Sequence, residues 1–207
     1  MQVFITGTDT NVGKTLVSSW ICLHTGYDYF KPMQTGSVEA KDSDLVKSLS
    51  GCKIHPESYI YKSRSSPHIA SALENETIDI SEIRLPTSHN LIVEGAGGLL
   101  VPVNSDVFVI DLIKSLNLPV ILVVNPKLGA INHSLLSLEA LRARNIQVLG
   151  LIFSGKVWKG GYDIASFGKT EILDELPYLD KITKESLLEV SLSQKLKNIL
   201  GIKNAIK

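Results

Sequence analysis

The run Val3-Phe4-Ile5-Thr6-Gly7-Thr8-Asp9-Thr10-Asn11-Val12-Gly13-Lys14-Thr15 constrains this chain more than any other feature. An apolar strand runs into a glycine-containing loop that ends in Gly-Lys-Thr and opens an amphipathic helix carrying Leu16, Val17, Trp20, Ile21 and Leu23. A strand–loop–helix unit of this kind turns loop and helix N-terminal N–H groups toward phosphate oxygens. Lys14 adds a cation for the β and γ phosphates, and the Thr15 hydroxyl can ligate Mg²⁺. The usual spacing places a glycine at the position held here by Thr8, with Gly7 one residue earlier, so the loop is a variant of the motif.

The rest of the chain says what surrounds this loop. With 207 residues and 44% hydrophobic content, one well-buried core is expected. Short apolar runs (Val3–Thr6, Tyr29–Lys31, Leu91–Glu94, Pro119–Val124, Val148–Phe153) alternate with helical patterns (Lys14–His24, Ser43–Ser50, Val107–Ser115, Ile131–Arg144). That alternation predicts an α/β fold: a mostly parallel sheet with helices on both faces, a three-layer architecture like that of P-loop NTPases, with ligands at the carboxyl ends of the strands. A single domain is expected over residues 1–207, with residues 51–88, polar and interrupted by Pro56, Pro67 and Pro86, as an excursion over the sheet. In the tail at residues 181–207, the leucines and mixed charge of Lys184–Leu200 read as a solvated helical face.

Composition narrows the function classes. Basic and acidic residues number 21 each, which leaves no surplus for a nucleic-acid groove. The chain enters its first strand without a basic leader, and its longest clean apolar run, Leu118–Val124, is too short to span a bilayer, so a cytoplasmic protein without membrane contact is expected. Two cysteines, Cys22 and Cys52, fit a reducing compartment, and five histidines show no metal-ligand spacing.

Other candidate residues stand at strand ends. Lys31 closes the second strand and is followed by Pro32 and, after Met33-Gln34-Thr35, by Gly36, which puts a cation where such sheets present ligands. Glu94 ends the third and is followed by Gly95-Ala96-Gly97-Gly98, small residues that let backbone approach a ligand. A carboxylate at that place suits Mg²⁺ in phosphoryl transfer. Asp42-Ser43-Asp44 precedes a helix, where an aspartate caps or complements the dipole. Lys127-Leu128-Gly129-Ala130-Ile131-Asn132-His133 opens another helix, a second anion site.

Taken together, Gly-Thr-Asp-Thr-x-Val-Gly-Lys-Thr at 7–15, Lys-Pro-x-x-Thr-Gly at 31–36, Ser-Pro-His at 66–68, Val-Glu-Gly-Ala-Gly-Gly at 93–98 and Lys-Leu-Gly-x-Ile-Asn-His at 127–133 resemble the dethiobiotin synthetases over roughly the first 155 residues. The resemblance implies an ATP- and Mg²⁺-dependent ligase that closes 7,8-diaminononanoate with CO₂ or bicarbonate into a cyclic urea. The reaction would pass through a carbamate and its phosphorylated anhydride. It implies Asn11, Val12, Gly13, Lys14, Thr15 and Leu16 around the triphosphate, and Thr15, Asp44 and Glu94 as Mg²⁺ ligands, with Gly95, Ala96 and Gly97 also at the nucleotide. Lys31 would be catalytic, and Thr35 would contact the diamine. Gly129, Ala130 and Asn132 would hold the distal carboxylate of a substrate bound to the other subunit of a homodimer. Pro177, Tyr178 and Leu179 would lie along the base.

One departure matters. Ser154, in Phe153-Ser154-Gly155, stands where the family places a base-reading Asn, so weak discrimination among nucleoside triphosphates is expected, with Ser154 and Gly155 still beside the nucleotide. The alternative function is a nucleotide-switched ATPase of the partition and cell-division type. Its loop carries a signature lysine where this chain has Asp9.

Overall fold

Val3, Phe4 and Ile5 are all fully buried, which a strand achieves only when both faces of its sheet are covered. The computed structural model describes residues 1–156, 158 and 160–202. The chain runs β1 (Gln2–Gly7), α1 (Lys14–Thr25), β2 (Asp28–Phe30), β3 (Met33–Gln34), α2 (Asp42–Ser50), β4 (Ile54–His55), β5 (Tyr59–Ile60), α3 (Pro67–Leu73) and β6 (Leu91–Gly98). It continues through α4 (Val109–Leu116), β7 (Val120–Val124), α5 (Ala130–Ala143), β8 (Val148–Gly155), α6 (Gly161–Phe167), β9 (Ile172–Pro177), α7 (Lys184–Glu189) and α8 (Gln194–Ile199).

Seven strands form one sheet in the order β4-β2-β6-β1-β7-β8-β9, and every pairing in it is parallel. From β1 the chain first builds outward on one side through β2, β4 and β6, then on the other through β7, β8 and β9, so the direction of winding reverses at β1. Ligand crevices form at such a reversal.

The period-two alternation of strands sorts the core into two faces. Ile5, Tyr29, Ile92, Ile121, Val123 and Ile152 point to the face covered by α1, with Val17, Trp20 and Ile21 packed against them. Phe4, Phe30, Val93 and Val120 point to the other, where Ile110, Leu112 and Ile113 of α4 and Leu141 of α5 lie. Leu122, Val124, Leu151 and Phe153 extend that second face under α5 and α6.

The expected α/β three-layer fold is thus present. All five expected strands and four expected helices form, with bounds within two residues of expectation except at the end of β6. β6 continues past Glu94 to Gly98, because its glycines still pair: Gly98 sits opposite Gly7 after a bulge in the register. Two edge strands were not legible. β4 is only two residues long, and β9, with the sequence Ile-Leu-Asp-Glu-Leu-Pro, carries adjacent acids that obscure alternation.

The solvated reading of the tail is overturned. Leu187, Leu192, Leu196 and Leu200 are buried, and they pack in the same cluster as Val17, Trp20 and Ile21. The tail is strapped on by polar bonds as well: Trp20 Nε1 donates to the Val190 carbonyl at 2.6 Å, and the Ser193 hydroxyl donates to the Leu173 carbonyl at 2.6 Å. Leu192, Leu196 and Leu200 recur every four residues, the spacing of one helix face, so an apolar stripe is present, and the mixed charge around it gave the solvated reading. Residues 203–207 of the expected tail lie outside the described residues.

Candidate active site

The loop between β1 and α1 is held open by backbone geometry. Asn11 has φ 58° and Gly13 φ 98°, and Gly13 is the N-cap of α1. Left-handed residues placed in this way turn successive N–H groups into one concavity. The backbone N–H groups of Asn11 through Leu16 find no acceptor among the described residues. Six consecutive unpaired donors running into the first turn of a helix are the chemistry of an anion site. The Lys14 ammonium donates to the Asp9 carbonyl at 3.0 Å across the mouth of the loop.

Glu94 is the hub beneath that loop. Its side chain is 1% exposed, and its carboxylate accepts three hydrogen bonds. The Thr15 hydroxyl donates to Oε1 at 2.8 Å, the Tyr29 hydroxyl to Oε2 at 2.9 Å, and the Lys31 ammonium to Oε1 at 3.2 Å. Strand register explains the convergence. Phe30 pairs with Val93, so Lys31 falls in the next row, opposite Glu94, and Tyr29, two residues before Lys31, shares its face. A carboxylate this buried needs such partners, because desolvation without them costs several kcal/mol.

Lys31 has a second partner. Its ammonium lies 2.5 Å from Oδ2 of Asp42, the first residue of α2. Burial pulls the Lys31 pKa down, but Glu94 and Asp42 outweigh it, and the ammonium is held above its ordinary value of 10.5. Lys14 has no such pair. Burial pushes it down to about 8, with attraction from Glu94 and repulsion from Lys31 as the next contributions. Burial and the Glu94 charge raise Tyr29 well above its usual value, so it is a neutral donor.

Asp44, expected in this cluster, is not brought to it. It is exposed and lines a groove with Lys41, Lys47 and Lys53 on the outer side of α2. Two positions along a helix are a rotation of about 200°, so Asp42 and Asp44 cannot both face Lys31. Sequence reasoning passed over Asp42 and Tyr29. The signal for Tyr29 was present in its two-residue spacing from Lys31.

The remaining expected residues fall around this centre at the carboxyl ends of the strands. Gly97 and Gly98 pack against the loop: a Cβ on Gly97 would stand 3.5 Å from Thr10 Oγ1, and one on Gly98 would stand 3.7 Å from Asp9 Cα. Gly95 backs onto Phe4, and Ala96 is buried in the same strand. Thr35 is half-buried just past β3. Gly129, φ 90°, is the N-cap of α5; Ala130 is buried, and Asn132 is exposed. The Ile131 and Asn132 N–H groups have no acceptor among the described residues. Pro177, the last residue of β9, and Tyr178 just beyond it are exposed, and Leu179 is half-buried. Ser154 is buried, and its side chain packs against Gly13 of the phosphate loop, where any Cβ would overlap its hydroxyl. Among the described residues no three His, Cys, Asp or Glu side chains gather into a metal-holding group.

The AAA domain family matches residues 1–186. A relative from Lawsonia intracellularis, described as ATP-dependent dethiobiotin synthetase BioD, is 54% identical over 96% of this chain and 98% of its own. The chain belongs to the dethiobiotin synthetase family. A second dethiobiotin synthetase, from Neorickettsia sennetsu, is 40% identical over 97% of this chain and 96% of its own. Among solved structures, the MinD cell division protein of Aquifex aeolicus superposes with a TM-score of 0.54 over 100% of this chain and 99% of its own, at 14% identity. That likeness shows the fold that dethiobiotin synthetases share with such proteins, and no more. Among the described residues no helix is long and apolar enough to cross a membrane.

Proposed function

We propose that this chain catalyses the ATP- and Mg²⁺-dependent closure of 7,8-diaminononanoate with CO₂ to dethiobiotin, as a homodimer. The observation that carries the reading is the buried Lys31 ammonium, shared between Glu94 and Asp42 directly below the phosphate loop. A permanent cation there faces both a γ-phosphate held by the N–H groups of residues 11–16 and a carbamate lying beside it. In this role Lys31 stabilises charge on the oxygens that change bonds as the carbamate takes the phosphoryl group. Phosphate then leaves as the second amine attacks the carbonyl carbon.

Thr15, Glu94 and Asp42 offer hard oxygen donors around one point and form no complete cage, which suits Mg²⁺ carried in with nucleotide phosphates. When bound there, the ion supplies charge neutralisation to the triphosphate. Asp42, already turned inward, fits the acidic role better than Asp44. The free N–H groups of Ile131 and Asn132 at the start of α5 suit the substrate's carboxylate. Leu128, 92% exposed on the same loop, and Leu136, 56% exposed eight residues on in α5, offer apolar surface for a second subunit.

The test is direct: protein, ATP, Mg²⁺, bicarbonate and diaminononanoate are incubated together, and dethiobiotin is sought by mass. Product that appears only with all components supports the reading. ATP hydrolysis indifferent to the diamine but stimulated by DNA or lipid would favour the switch-type ATPase instead.

A further inference from the structure

The serine at position 154 suggests a chain that reads its nucleobase poorly, and the structure turns Ser154 away from that task altogether. Its hydroxyl is packed against Gly13, under the phosphate loop. That contact sets Ser154 and its neighbour Gly155 beside the phosphate loop, so a base carried past Gly13 by phosphates at residues 11–16 would come to Gly155. A pocket opens beside Gly155, walled by Phe153, Trp158, Tyr162, Leu176 and Pro177. Aromatic and apolar walls accept any base, since every base has a π-face, so they cannot tell one base from another.

One amide stands across Gly155, next to this pocket and outside its lining. Asn125 follows the last residue of β7, and because Val124 pairs with Phe153, it falls in the row of Ser154. A Cβ on Gly155 would meet Asn125 Oδ1 at 3.5 Å and Nδ2 at 3.8 Å, so both the acceptor and the donor of the amide lie across the open face of that glycine. Asn125 is half-buried, and its side chain makes no hydrogen bond among the described residues. Gly155 has φ 132°, a backbone conformation that disfavours a side chain which would intrude on the amide. Glu175 is the acidic side chain that lines the pocket itself, beside Tyr162.

We propose that the Asn125 side-chain amide reads the nucleobase and selects adenine, replacing from the neighbouring strand the function that Ser154 cannot perform. The proposal rests on the phosphate-loop reading of residues 11–16. On its N6/N7 edge adenine donates from N6 to Oδ1 and accepts at N7 from Nδ2 together, whereas guanine presents two acceptors on that edge and a pyrimidine has no N7. Discrimination of about 5- to 150-fold corresponds to such a pair.

Affinities for ATP, GTP, CTP and inorganic tripolyphosphate, measured by calorimetry on the native protein, Asn125→Ala and Asn125→Asp, test this. The native protein should bind ATP at least tenfold more tightly than CTP. Asn125→Ala should lose about tenfold for ATP while tripolyphosphate and CTP change less than twofold. Asn125→Asp, which keeps an acceptor for N6 but loses the donor to N7, should also lose affinity for ATP and narrow its preference over CTP. Circular dichroism and melting temperature confirm that each variant is folded, and a loss shared equally by ATP and tripolyphosphate marks a merely structural role and overturns the proposal. So does native discrimination below threefold, or an unchanged ratio in both variants. A native protein that binds none of the four, tripolyphosphate included, overturns the phosphate-loop reading itself.

Discussion

Lys14 should destabilise the nucleotide-free protein, and replacing it with Met should make the protein more stable while abolishing its affinity for triphosphates. Its pKa drops from 10.5 to about 8 because the ammonium is buried at 7% exposure with Lys31 nearby. That drop corresponds to about 3 kcal/mol of unfavourable free energy at neutral pH. Below pH 8 both folded and unfolded chains carry the proton, so the whole penalty is present. Between pH 8 and 10.5 the folded protein sheds a proton that the unfolded chain keeps, and stability rises by about 1.4 kcal/mol per pH unit. Lys14→Met removes the charge and also the bond to the Asp9 carbonyl, worth about 1 kcal/mol. The net gain near pH 7 is about 2 kcal/mol, or about 4–8 °C in Tm for a chain of this size. Urea titrations of both proteins between pH 7 and 10 isolate the effect, because every other group titrates in both. The difference should shrink steadily above pH 8. A variant no more stable than the native protein at pH 7, or an advantage that stays constant with pH, would refute the argument. Bound triphosphate supplies the missing counter-charge, so nucleotide should stabilise the native protein strongly and the variant not at all, as thermal shift with ATP would show.

Lys31→Gln should lower turnover by about 10²–10³ while retaining most nucleotide affinity, since the loop's N–H groups are untouched; near-native turnover would remove Lys31 from the chemistry. Losing the ammonium also breaks a buried pair, so a fall in stability of about 3 kcal/mol should accompany it in denaturant titration. Asp42→Asn should raise the Mg²⁺ concentration needed for half-maximal activity, whereas Asp44→Asn, on the outer side of α2, should leave that titration unchanged; the reverse order would return the role to Asp44. Mixing inactive Lys31→Gln with inactive Asn132→Ala should restore partial activity through heterodimers, and no recovery after demonstrated subunit exchange would count against a site built from two subunits.

Reading this site from sequence succeeded where the chemistry is local and failed where it depends on rotation or on a neighbouring strand. The phosphate loop is contiguous, so residues 11–16 were legible at once. Lys31 and Glu94 were legible because each ends an apolar strand, and parallel register then places them side by side. Asp42 and Asp44 could not be separated by pattern, since choosing between them requires the phase of α2, which is set by burial of Ser43, Val46 and Leu49. Asn125 lay in a loop with no motif, and only the pairing of β7 with β8 gives it a place near Gly155. The tail leucines stand at roughly helical spacing and were misread because the mixed charge between them suggested a solvated face, while α1 offers Trp20 and Ile21 as a surface to bury them.

The strap of α7 and α8 over α1 also bears on how the protein comes into being. The side chains that cover Trp20 and Ile21 of the helix that opens at Lys14, among them Leu187, Leu196 and Leu200, are made more than 160 residues after them. Until then the nascent chain carries an uncovered apolar helix face, a natural target for chaperones during elongation. The phosphate loop therefore gains its rigid support only after residues 187–200 have been made. A message truncated before residue 184 would encode every residue of the proposed reaction centre and still leave the helix that carries Lys14 and Thr15 without its outer layer.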